Sequence, residues 1–167
     1  MSDNPPSPRI VLISGTDAAR IAEAAARHVR ERAGANDDAF GLDVVRQGDN
    51  RDVAATLHEL VSTLRSPSFL PTGKVVWLRD FDGFDKEGAK TAKGADATAF
   101  RELCDTLEKR LPPTTTVVLS GPGIDKRKRL YNVCEAIGSV ELIHKPDVTD
   151  RNWQTQMAAA IRAAADD

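Results

Sequence analysis

A chain of 167 residues, 41% apolar and 29% charged, has the length and apolar content for one compact domain around one core. Its formal net charge of −2 supplies no global positive field, so any nucleic-acid contact must come from a local patch or a partner. No apolar run approaches the roughly 20 residues of a membrane span, and the polar start MSDNPPSPR leads only to a short run at Ile10–Ile13. The expectation is a cytoplasmic protein without membrane contact, with a flexible tail over residues 1–8 and one domain over residues 9–167.

Arg9 to Ser14 (RIVLIS) is a short apolar run of the kind found in strands buried on both faces. Gly15-Thr16-Asp17 turns the chain, and Ile21, Ala25 and Val29 recur at helical spacing over Asp17 to Ala33, with Gly34 as the stop. Leu42 to Arg46 (LDVVR) is the second strand. Asn50 is placed to cap a helix carrying Val53, Leu57, Leu60, Val61 and Leu64, which Pro67 ends. Lys74 to Phe81 (KVVWLRDF) is the third strand. The polar stretch Asp85 to Asp96 holds no apolar residue larger than Ala and reads as a mobile loop.

A helix bearing Phe100, Leu103, Cys104, Leu107 and Leu111 follows, ended by Pro112-Pro113. Thr114 to Ser120 is a β-branched fourth strand. Beyond Gly121-Pro122-Gly123 a helix carries Leu130, Val133, Cys134 and Ile137 and stops at Gly138. Val140 to His144 is the fifth strand, and Trp153, Met157, Ala160, Ile161 and Ala164 mark a last amphipathic helix. Strands and helices that alternate through short loops imply an α/β fold. Right-handed crossovers then give three layers, an open and mostly parallel five-stranded sheet with helices on both faces.

Ligands of such sheets sit beyond the carboxyl ends of the strands. After the first strand a nucleotide site would read GxxxxGK[ST], but the chain reads Ser14-Gly15-Thr16-Asp17-Ala18-Ala19-Arg20. The lysine is missing, and Asp17 sets a negative charge where a phosphate would lie. No bound cofactor is expected. After the third strand, Asp80 and Asp82 flank Phe81. With Asp17 they could serve a Mg²⁺-dependent nucleotide or nucleic-acid enzyme, against the simpler reading that the aspartates solvate a turn. His28, His58 and His144 have no metal-ligand spacing, and Cys104 and Cys134 sit on apolar stripes as small buried hydrophobes.

Two further segments stand out. Ser68-Phe69-Leu70 places two large apolar side chains together between Pro67 and Pro71, as a loop tucked onto the core or as a docking wedge. Lys126-Arg127-Lys128-Arg129 places four cations in what reads as a first helical turn behind an Asp125 cap, where they oppose the helix dipole. That unfavourable placement suggests a partner or DNA-contact patch, against a merely solvated turn.

In this order and spacing the segments resemble the N-terminal domain of the delta subunit of the bacterial DNA polymerase III clamp loader. The likeness rests on Ser68-Phe69-Leu70 before Lys74-Val75-Val76-Trp77-Leu78-Arg79-Asp80. It continues through Leu107-Glu108 with Pro112, Thr116-Val117-Val118-Leu119, Asp125 to Tyr131, and Asn152-Trp153. It spans residues 9 to 162.

The resemblance implies an AAA+-like domain that has lost its phosphate loop and takes part in DNA replication without an activity of its own. It also implies that Ser68, Phe69 and Leu70 bind the sliding clamp (the beta subunit) and help to open it. The other clamp-loader subunits are further implied partners, with DNA an indirect one. Phe69-Leu70 stands in the reverse of the Leu-Phe order that some members show. Delta subunits continue into lid and collar domains, which the resemblance implies are absent from this chain. A relic that only docks to another subunit through Lys126 to Arg129 is the remaining reading.

Overall fold

The computed structural model describes residues 8–33, 41–90, 94–147 and 153–165. Strand β1 (Ile10–Gly15) is followed by α1 (Ala18–Ala33), β2 (Leu42–Arg46), α2 (Val53–Arg65) and β3 (Lys74–Arg79). A 3-10 turn (Phe84–Lys86) precedes α3 (Gly94–Asp105), which continues as a π-helical turn (Thr106–Arg110). Then come β4 (Thr115–Ser120), α4 (Arg129–Ile137), β5 (Ser139–Ile143) and α5 (Trp153–Ala165).

The strands form one sheet in the order β2-β3-β4-β1-β5, and every neighbouring pair is parallel. The fold class expected from the alternating pattern is therefore the one observed. The chain moves across the sheet in one direction from β2 to β3, β4 and β5, and in the other from β1 to β2. Right-handed crossovers then put α2, α3 and α4 on one face and α1 on the other.

The period-two alternation of the strands divides the core accordingly. Ile10, Leu12, Val76, Leu78, Val117 and Leu119 pack with α2, α3 and α4, and Val11, Ile13, Val75, Trp77 and Val118 pack with α1. On the larger face Phe81 meets Phe84 edge-on with centroids 4.9 Å apart and Phe100 at 6.5 Å.

Several sequence boundaries need correction. The α2 cap is Asp52, whose carboxylate accepts the Ala55 amide at 3.0 Å, while Asn50 supports it by accepting the Asp52 amide at 3.3 Å. Strand β3 ends at Arg79 because Asp80 adopts a positive φ of 52° that breaks the extended backbone. The described parts of the polar stretch from Asp85 are built into the fold: it starts in the 3-10 turn, buries Glu87 and Asp96, and belongs to α3 from Gly94, while residues 91–93 lie outside the described residues.

Arg129 is the first helical residue of α4, so Lys126 to Lys128 precede the helix rather than form its first turn. In α5, Met157 and Ile161 are exposed at 38% and 64%. Residues 1–7 of the expected tail, Gly34, and Asn152 lie outside the described residues. No described helix is long and apolar enough to cross a membrane.

Candidate functional site

The turn after β1 is short and its backbone is bonded within the protein. Only Thr16 and Asp17 separate β1 from α1. Both of their amides donate to the Ile143 carbonyl of β5, at 3.0 and 3.3 Å. Gly15 has a φ of 141°, and a Cβ there would strike that same carbonyl group, so only glycine permits the close approach. Asp17 caps α1 by accepting the Arg20 amide at 3.2 Å, and Ser14 Oγ accepts the Ile124 amide at 3.2 Å. The Thr16, Asp17 and Arg20 amides are thus committed to partners within the protein.

The acidic turn after β3 is also internally paired. Asp80 contacts Arg79 Nε at 3.3 Å, and Asp82 pairs with Arg51 at 3.0 Å. Gln47 ties these two loops by accepting the Asp82 amide at 3.0 Å and donating to the Arg51 carbonyl at 3.1 Å. Strand β4 lies between β1 and β3, so Asp17 stands about two strand spacings, roughly 10 Å, from the β3 end. Among the described residues no group of three or more His, Cys, Asp or Glu side chains could hold a metal ion.

The loop between α2 and β3 holds Ser68, Phe69 and Leu70 in an ordered turn. Ser68 Oγ accepts the Leu70 amide at 3.1 Å and donates to the Leu70 carbonyl at 3.2 Å, and the Gly73 amide donates to that carbonyl at 3.0 Å. Gly73 has a φ of 85° and lies against the Thr114 carbonyl, so a side chain there would clash. Within this turn the two apolar residues part company. Leu70 is half-buried beside Gly41, whereas Phe69 is 97% exposed. A phenylalanine left in water forgoes about 1.5–3 kcal/mol of burial.

The basic segment is less cationic than its sequence suggests. The Arg127 guanidinium grips Asp125 at 2.8 Å, and its hydrogen bonds hold the Asp125 carboxyl down at about 2. Arg129 bridges Asp105 and Glu108, each at 2.7 Å, and holds Asp105 below its ordinary range. Lys126 is exposed, and the Arg127 side chain is 88% exposed despite its ion pair. Arg129 is exposed as well, at 44% of its side chain, despite its two ion pairs.

Two residues here carried no recognisable sequence signal. Glu87, from the polar stretch, is buried and accepts the Leu130 amide at 3.1 Å, so it caps α4 from outside the helix. Burial raises its carboxyl pKa, opposed by the Leu130 amide and the Lys128 charge. Lys74 opens β3 yet is buried, with its ammonium on the Thr63 carbonyl and 3.6 Å from Asp43. Burial also pushes the thiols of Cys104 and Cys134 up to about 12, which disfavours the nucleophilic thiolate.

Neither a family model nor a curated protein matches the sequence. A solved structure does match in shape: the chain superposes on the DNA clamp loader delta protein of Bacillus subtilis with a TM-score of 0.61. That alignment covers 83% of this chain but only 39% of the other, at 16% sequence identity. The chain has the fold seen in a clamp-loader delta protein, over less than half of that protein's length.

Proposed function

We propose that this chain is the clamp-binding domain of a delta-type clamp-loader subunit, acting in DNA replication. Phe69, carried on the turn that Ser68 braces, enters an apolar pocket of the sliding clamp, and Leu70 lines the contact from behind. The observation that carries this reading is a fully exposed aromatic side chain on a hydrogen-bonded turn. Surface apolar residues are common, but a large one held out by an ordered backbone suits an interface anchor. The shared fold supports the reading, as does the resemblance in the segments around Phe69 and Arg127.

On this reading the module works by binding rather than by catalysis. The turn after β1 is the remnant of a phosphate loop, and its occupied amides agree with that descent. Ring opening follows only if the open clamp is bound more tightly than the closed one. Lys126 and Arg127 then face an acidic surface of a neighbouring loader subunit or the phosphates of DNA, with the other loader subunits as partners and the cytoplasm as the place of action. The pairing of Asp80 and Asp82 with arginines weighs against the Mg²⁺-enzyme reading. Calorimetric titration of the sliding clamp with wild-type protein and with Phe69→Ala/Leu70→Ala tests the proposal.

A further inference from the structure

We infer that Lys74 is a positioning residue for the Phe69 turn; this rests on the clamp-binding reading above. In α2 the Thr63 carbonyl should accept the amide of the residue four positions on, but that residue is Pro67, which has no N–H. The neighbouring Ser62 carbonyl has its donor in the Ser66 amide at 3.1 Å, so Thr63 alone is orphaned by the proline. The Lys74 ammonium fills that vacancy from the first residue of β3.

The side chain is only 6% exposed, and Asp43 of β2 stands 3.6 Å away to offset its charge. One ammonium therefore joins the last turn of α2, where the loop departs, to the strand where it returns. The backbone at the same point is held by the Lys74 amide on the Thr114 carbonyl at 3.1 Å. Ser66 to Gly73 is thus an eight-residue loop with a closed base. A closed base removes loop freedom before binding, and preorganisation of that kind raises affinity without touching the partner.

The test compares Lys74→Met, which keeps the aliphatic stem, with Val29→Ala, which weakens the opposite face of the sheet at a buried α1 position. Amide hydrogen exchange at Leu70 and Gly73 is read in the free proteins, and sliding-clamp affinity by calorimetry. Lys74→Met is expected to speed exchange at both amides about tenfold and to weaken clamp binding about tenfold, with Val29→Ala leaving both at wild-type values. Wild-type protection at Leu70 and Gly73 in folded Lys74→Met overturns the assignment. So does a Val29→Ala variant that loses clamp affinity equally, since the effect is then one of general stability. If wild-type protein does not bind the clamp, the functional reading fails, while the exchange result still decides the role of Lys74. Should Lys74→Met not fold, adding Pro67→Ala returns an N–H to Thr63 and must restore folding; a double variant that stays unfolded overturns the inference.

Discussion

Glu87 caps α4 from a distance of 43 residues in sequence: its carboxylate accepts the Leu130 amide at 3.1 Å. The helix has no capping side chain of its own, because Lys128 stands at the cap position. A segment that is polar and low in apolar residues is thereby fixed to the core. Glu87→Ala should cost about 1 kcal/mol or more in urea unfolding, as loss of a helix cap does.

The same carboxyl has a definite pH signature. Burial raises its pKa in the folded state, so the folded protein takes up this proton more readily than the unfolded chain. Its contribution to stability is therefore greatest below the ordinary carboxylate pKa and is lost as pH rises through the raised folded pKa, above which it is constant. Glu87→Gln should gain on wild type as pH rises through that range, measured by urea midpoints. An unchanging difference between the two proteins would contradict the assignment of burial as the dominant influence.

Asp125 should behave in the opposite sense. Arg127 holds its pKa at about 2, so its share of stability is present above the ordinary carboxylate range and is lost as pH falls toward 2. A carbon-13 NMR titration should place the Asp125 midpoint near that value. Arg127→Gln should return it toward 3.8.

The layers of this fold were legible because each strand is a short apolar run and each helix has a stripe at helical spacing. Phe69 and Leu70 stood out as two large apolar residues between prolines, but the pattern did not show that Leu70 is half-buried while Phe69 is exposed. What the pattern concealed were contacts between segments distant in sequence. Glu87 and Lys74 look like ordinary surface charges until the fold brings Leu130 and Thr63 to them. The ion pairs among the four cations from Lys126 to Arg129 were hidden for the same reason. Their acidic partners include Asp105 and Glu108, which only tertiary structure places beside Arg129.

Ser120 offers a test of the buried polar core. Trp77 Nε1 donates to its hydroxyl at 2.9 Å, and that hydroxyl donates to the Leu78 carbonyl at 3.1 Å. Ser120→Ala should cost about 1–3 kcal/mol, because the indole N–H is left buried and unpaired. Denaturant unfolding followed by tryptophan fluorescence reads both the loss and the altered environment of Trp77.

The turn after β1 makes a claim about nucleotides. With the Thr16 and Asp17 amides both committed to Ile143, Mg²⁺–ATP should leave their NMR shifts and the melting temperature unchanged. ATP binding that Asp80→Asn abolishes would instead favour a catalytic role for the acidic turn.

Clamp binding through Phe69 is tested most directly by calorimetric titration of the sliding clamp with wild-type protein, Phe69→Ala and Phe69→Ala/Leu70→Ala. Phe69 contributes nothing to the folded core at 97% exposure, so Phe69→Ala should unfold like wild type. It should nevertheless weaken clamp binding by about 2 kcal/mol, roughly thirtyfold, with a further loss in the double variant. Wild-type clamp affinity in a folded Phe69→Ala/Leu70→Ala protein would show that the clamp is not bound through this pair.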